Sequence, residues 1–232
     1  MDHGVKSEKL KDLFHNGRQL KYSKNSTIIR AGEIPRGVYL IESGLIKVYS
    51  LSKQGVEHVH HFFGPGEFFP IIWPFRRSTR RMYYETLAPS VFWVVPRDTF
   101  RQFVNTNLEA MTDLLDELID RYHLYTGRID NLLYSDARER CVHRLLSLAN
   151  SFGSKSEDGI VINALITHED LAHSINMTRE TFGRCIGRLQ QTGMLGYDPE
   201  HRFIIKDLPA FARIIGREEV EALWPDLKQY GI

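Results

Sequence analysis

Between Thr178 and Gln191 the chain reads TRETFGRCIGRLQQ, with ionic side chains recurring at helical intervals. At 100° per residue Phe182, Ile186 and Leu189 share one face, while Glu180, Arg184 and Arg188 fall roughly opposite and Arg179 sits at the leading end. Such a face can read a DNA major groove. A guanidinium matches guanine O6 and N7 in bidentate fashion, a carboxylate accepts from cytosine N4, and further arginines pair with phosphates. The same pattern also suits an ordinary exposed helix laced by Glu–Arg pairs at i,i+4. A second group, His58, His60 and His61 in VEHVHHFF, carries metal-ligand chemistry. On a strand His58 and His60 share one face and His61 takes the other. Without a third convergent ligand they read as wall residues of that strand, and no metal site is predicted.

These side chains need elements to hold them. From Ser26 to about Val95 the chain runs in short alternating segments, STIIR, GVYLIESG, LIKVYSL, VEHVHHFF and VFWVV, punctuated by glycines. Short runs with a turn every ~8–12 residues predict an antiparallel barrel or sandwich. From Pro96 onward the period becomes helical. Leu108, Met111, Leu115, Leu118, Tyr122, Tyr125, Ile129 and Leu132 alternate three- and four-residue steps, the rhythm of a helix that pairs along a seam. That spacing predicts a dimer interface. The alternative is a helix that lays the stripe on its own β domain, although Leu114 and Ile119 form a second apolar edge suited to that packing.

After Tyr134, SDARERCVHRLLSLANSF reads as a helix with Ser135 as its N-cap, GSKSEDG as a polar loop and GIVINAL as a short strand. Thr167-His-Glu-Asp170 is a capping signal opening a helix with Leu171 and Ile175 on one face. Asn176 tolerates a left-handed turn, Thr178 caps a second helix, and Gly193 closes it. Two short helices joined by a tight turn make a helix-turn-helix, and GYDPEHRFIIKDL behind them reads as a hairpin wing. Residues from Pro209 to Ile232 read as a helical tail.

Composition narrows the class. The formal charge is +1, so a nucleic-acid partner must be met by a local patch. From Ser135 to Ile232 there are 12 Lys/Arg against 14 Asp/Glu, which makes non-specific DNA affinity modest and leaves binding to local arginines and dimerisation. Cys141 and Cys185 have no knuckle or disulfide spacing, which fits a reducing, cytoplasmic setting. The N-terminus has no apolar signal region, and no stretch of about 18 apolar residues is present, so no membrane partner is expected. An enzyme of the cupin kind, suggested by H-x-H on a β strand, fails on spacing, because Glu67 lies seven residues beyond His60 and no second histidine element follows. No nucleophile triad or phosphate loop is visible either.

ITHEDLAHSINMTRETFGRCIGRLQQTGML resembles the winged helix-turn-helix of the Crp/Fnr family of bacterial transcription regulators, with RETFGR matching its recognition signature. AGE…VYLIESGLIKVY…PGEFF is similar to the family's cyclic-nucleotide-binding-type β-roll, and the stripe falls where the family has its dimer helix. The resemblance implies an α+β fold: an N-terminal antiparallel, jelly-roll-like β-roll over residues 1–107, a long dimerisation helix over 108–135, and a C-terminal winged helix-turn-helix with its tail over 136–232. It also implies a homodimer on double-stranded DNA, with RNA polymerase as a further partner. By the same resemblance Arg179, Glu180 and Arg184 read a TGTGA-like half-site, joined at the interface by Thr178 and Arg188.

In nucleotide-binding relatives a Gly-Glu pair after P-G-E-F-F and an Arg-Ser pair further on hold the ribose and the cyclic phosphate. Here those positions are Pro70 and Ile71, then Arg81 and Met82. Proline has no N–H to give and isoleucine cannot accept a ribose hydroxyl, so a cyclic nucleotide is disfavoured. The sensor half has no cysteine for an iron–sulfur cluster; haem is disfavoured too, and no cofactor is predicted. His60, His61, Ile71, Ile72, Trp73, Arg81, Tyr125 and Thr126 are expected to line an effector pocket with apolar and aromatic walls. Such a pocket suits a small apolar or aromatic effector. The alternative is that PIIWPF plugs the roll and leaves a regulator competent without ligand. The arginines of RRSTRR suit a solvated loop, an anionic effector, RNA polymerase or flanking phosphates, and the residues do not choose among these.

Overall fold

A computed structural model describes residues 7–76 and 81–216, with 218, 220 and 221. It divides into two units, one ending at Thr126 and the other beginning at Gly127.

Alternation and turns build the first unit. Helix α1 (Glu8–His15) starts at Ser7, whose side chain accepts from the Leu10 N–H, and buries Leu10 and Phe14. Eight strands follow: β1 (Arg18–Tyr22), β2 (Thr27–Ile29), β3 (Val38–Ser43), β4 (Ile46–Leu51), β5 (Glu57–Phe63), β6 (Phe68–Phe69), β7 (Tyr83–Thr86) and β8 (Ser90–Val95). They form two four-stranded antiparallel sheets, ordered β1-β8-β3-β6 and β2-β7-β4-β5. Between β3 and β4, Gly44 has φ 110°, and a Cβ there would lie 2.0 Å from Ser90 Oγ, so only glycine allows this turn. All five expected strands are present. The polar RQLKY of β1 and the two-residue β6 carry too little alternation to announce themselves.

Two apolar clusters divide the strand residues. Between the sheets lie Ile29, Tyr39, Ile41, Ile46, Val48, Phe63, Phe69 and Phe92. On the other face of the first sheet, Val38, Leu40, Phe68, Ile71 and Val95 pack against α1 and against Phe100 and Val104 of α2 (Arg97–Thr106). The neighbours Phe68 and Phe69 point into different clusters because successive strand residues face opposite ways.

Helix α3 (Leu108–Tyr134) is capped by the Asn107 side chain, which accepts from the Ala110 N–H. Ala110 and Leu114, four residues apart, are its buried residues and pack into the helix-side cluster. All eight positions of the seam stripe are exposed in the single chain, Tyr122 at 66%. The alternative of a stripe laid on its own β domain is therefore corrected. So is the expectation for Ile119, which is 43% exposed; Ala110, not Ile119, partners Leu114. The division between the units falls inside α3, so residues 127–134 belong with the second unit.

That unit begins with α4 (Ala137–Phe152). Its N-cap is Asp136 rather than Ser135. The Asp136 carboxylate accepts from the N–H groups of Arg138 and Glu139, and Glu139 accepts in return from the Asp136 N–H. That reciprocal box outcompetes a serine hydroxyl, and Ser135 Oγ bonds Asn131 instead. The polar loop expected at GSKSEDG is a hairpin of β9 (Gly153–Ser156) and β10 (Gly159–Ile162), because backbone pairing to an apolar neighbour overrides its polar side chains. Helices α5 (His168–Ser174) and α6 (Arg179–Gln191) follow, then β11 (Leu195–Tyr197), β12 (Phe203–Ile205) and α7 (Leu208–Ile215). The sheet runs β11-β12-β10-β9. Of the expected tail, α7 is described, while nearly everything after Gly216 lies outside the described residues. The same holds for residues 77–80 of RRSTRR; Arg76 and Arg81 are exposed. Among the described residues no helix is long and apolar enough to cross a membrane.

Candidate functional site

The helix-turn-helix is built from local hydrogen bonds. Thr167 Oγ1 accepts from the Asp170 N–H at 3.1 Å and opens α5. The chain then turns at Asn176, whose φ of 56° lies in the left-handed region, and the Met177 N–H reaches back to the Ala172 carbonyl. Thr178 Oγ1 accepts from the Thr181 N–H and opens α6. Gly193, at φ 73°, ends it: its N–H bonds Gln190 O and the Met194 N–H bonds Leu189 O.

Phe182, Cys185, Ile186 and Leu189 are buried along one side of α6, which locks its rotation. Thr178, Arg179, Glu180, Arg184 and Arg188 are all exposed. Glu180 is held below the usual carboxylate range, first by its own backbone N–H, then by Thr178 and by the Arg179 and Arg184 charges, so it stays an acceptor at neutral pH. An Arg184 Nη donates to Thr181 Oγ1 at 3.3 Å, which steadies the guanidinium. A Cβ added at Gly183 or Gly187 would meet nothing. These glycines leave the exposed side of α6 low.

The wing is fixed as firmly. Asp198 accepts from the N–H groups of Glu200 and Arg202 and from Arg202 Nε, folding DPEHR into a closed turn with His201 at φ 60°. At the start of α5, His168 Nε2 lies 2.8 Å from the Tyr197 hydroxyl of β11, and its ring stacks on Phe203. Burial, then the Arg179 charge, pushes His168 below the usual histidine value, which favours the neutral ring. Sequence reasoning passed over this histidine. Cys141 and Cys185 are free and buried.

In the first unit the expected pocket residues go to different places. His60 bonds Ser50 Oγ at 2.8 Å, and His61 lies 3.3 Å from Glu67 Oε1. Ile71 is a core residue of the helix-side cluster, which corrects its expected place on a pocket wall. Ile72 is exposed, and Trp73 is half-buried under the Arg97 guanidinium. Tyr125 is exposed and Thr126 half-buried on α3, where Thr126 Oγ1 bonds back to the Tyr122 carbonyl.

The cluster between the sheets includes a residue not singled out from sequence. Phe69, fully buried, stacks on Tyr39 at 5.3 Å and on Tyr84 at 5.0 Å, and meets Phe92 edge-on at 5.9 Å. A period of two along GEFFP separates Phe69 from Phe68 and is the signal that would have found it. Beside it, Glu67 accepts from the Gly64 N–H at 2.7 Å. Arg121 of α3 donates to Glu117 at 2.8 Å and to the Phe68 carbonyl at 3.3 Å, and lies 4.5 Å over the Phe63 ring. Burial alone would raise the Glu67 pKa; the hydrogen bond and charge of His61, the Arg121 charge and the Gly64 N–H outweigh it and hold the carboxyl below its ordinary value.

Among the described residues no group of three or more His, Cys, Asp or Glu is placed to hold a metal ion. Two family patterns match in tandem: a Cyclic nucleotide-binding domain over residues 19–107 and a Crp-like helix-turn-helix domain over residues 139–214. The chain is 27% identical over 177 residues to the cAMP-activated global transcriptional regulator CRP of Haemophilus influenzae, covering 75% of this chain and 78% of that protein. It is 22% identical over 210 residues to a CRP-like cAMP-activated global transcriptional regulator of Mycobacterium tuberculosis, covering 90% and 93%. Among solved structures, a CooA mutant from Carboxydothermus hydrogenoformans superposes with a TM-score of 0.76 at 20% identity, covering 93% of this chain and 99% of that one.

Proposed function

The chain belongs to the Crp/Fnr family of DNA-binding transcription regulators, and on that premise we propose that it works as a homodimer on a pseudo-palindromic operator. The observation that carries this reading is α6, a capped helix whose apolar face is satisfied within its own module while its opposite face offers Arg179, Glu180 and Arg184 to solvent. Each protomer lays α6 in a major groove, with half-sites about 34–36 Å apart. Arg179 and Arg184 read guanines and Glu180 accepts from cytosine N4, giving a TGTGA-like half-site, while Thr178 and Arg188 hold phosphates. The α3 stripe supplies the seam between copies, and RNA polymerase is the further partner.

The relatives named above are cAMP-activated; for this chain Pro70 and the buried Ile71 argue against that ligand. The packing of Phe69 favours a roll that needs no small molecule, because its ring takes up the space between the sheets. Arg121 is likewise engaged, by Glu117 and the Phe68 carbonyl. An apolar or aromatic effector, the other reading, needs room beside that aromatic cluster. Selection of bound sequences from a random duplex pool tests both. A TGTGA-like palindrome enriched by the purified protein alone supports the ligand-independent dimer, and enrichment only with added cell extract supports the effector. No enriched palindrome under either condition sinks the operator reading.

A further inference from the structure

We propose that Arg128 is a positioning residue: it fixes the helix-turn-helix to the C-terminal end of α3 and so sets the spacing between half-sites that the dimer accepts. The inference rests on the homodimer reading above.

The turn at Asn176 ends α5 abruptly and leaves its last carbonyls without helical partners. Ala172 O takes the N–H groups of Ile175 and Met177, and Leu171 O takes the Ser174 hydroxyl. Ser174 O, the last of the helix, accepts from the Arg128 guanidinium. A cation at that end also meets the negative pole of α5. Arg128 therefore grips the helix-turn-helix at the point where its first helix gives way to the turn.

Its place on α3 gives that grip a consequence. Arg128 precedes Ile129 and lies one turn before Leu132, the last two positions of the exposed stripe, and all three fall in the same unit as α5 and α6. In a dimer joined by the stripe, a partner packing on Ile129 and Leu132 holds the segment from which Arg128 reaches Ser174. Arg144 of α4 is buried, and burial first, then the Arg128 charge, drives its pKa well down. An apolar contact would also join α3 to this module, but it would lack the direction of a hydrogen bond.

Full-length wild type, Arg128→Met and Arg128→Lys are titrated by fluorescence anisotropy against duplexes carrying the selected half-site with spacers one and two base pairs shorter or longer than the optimum. Native mass spectrometry and thermal melts accompany each variant. The wild type shows one spacing optimum. Arg128→Met stays dimeric and keeps its preference within the half-site, but its discrimination between spacings falls about tenfold, the scale of one charge-assisted hydrogen bond. Arg128→Lys, which keeps a donor, recovers part of it and serves in place of Arg128→Met if that variant fails to fold. An unchanged spacing profile in both variants, or affinity lost evenly at every spacing, overturns the role of Arg128. A monomeric wild type, or one without a spacing optimum, overturns the dimer reading and this inference with it.

Discussion

Arg184 stands opposite the buried side of α6, steadied by Thr181, and its replacement by alanine removes the group proposed to read a base without touching the core. The expected loss on the operator is about 1–3 kcal/mol, together with relaxed preference at one base pair. Anisotropy titrations against half-sites varied at each position check it, and unchanged preference at every position rules the assignment out. Glu67 carries a different prediction. A carboxyl held below its ordinary 4.5 contributes stability that is fully present above that value and is lost as pH falls through the depressed one. The wild-type melting temperature should therefore drop on acidification below about pH 4.5, while Glu67→Gln, with nothing to protonate, drops less. The side chains of α6 were legible in the sequence because helical spacing alone sorts buried from exposed. Glu67 and Arg121 were not, because the bonds of Glu67 to Gly64 and His61 depend on how the turn into β6 folds, and Arg121 reaches the Phe68 carbonyl only where β6 meets α3.

At the level of elements, the glycines of α6 are informative. Glycine within a helix costs about 0.5–1 kcal/mol relative to alanine, and at Gly187 no neighbour in the protein needs the space. Gly187→Ala should raise the melting temperature and weaken operator binding, since the added methyl stands on the side offered to the groove. Calorimetry and anisotropy on one preparation decide it; a more stable variant with full affinity shows that α6 does not approach DNA along that line. Elements with strong periodicity, α3, α5 and α6, were readable from their residues, as were the five glycine-bounded strands. The β9–β10 hairpin was not, because GSKS carries no apolar alternation and becomes a strand only through its pairing with Gly159–Ile162. Ile71 misled for a related reason: its apolar side chain suits a pocket wall and a core equally, and only the position of α1 and α2 sends it into the core.

For the molecule as a whole, the proposed assembly rests on the exposed stripe of α3. Leu118→Glu places a charge in the proposed seam while leaving Ala110 and Leu114, the helix's own anchors, in place. The variant should fold, run as a monomer in sedimentation velocity and lose operator affinity; a folded dimer would show that the seam lies elsewhere. The nearly balanced charge of residues 135–232 adds that duplexes without the operator should be bound weakly, through few phosphate contacts. The stripe also has a meaning for abundance. In the proposed dimer, a protomer that leaves eight apolar positions open is half of a binding unit, so the pool of competent dimer grows with the square of protomer concentration while monomer prevails. For a dimer that needs no effector, as proposed above, the rates at which the cell makes and destroys this protein become the signal its operators receive.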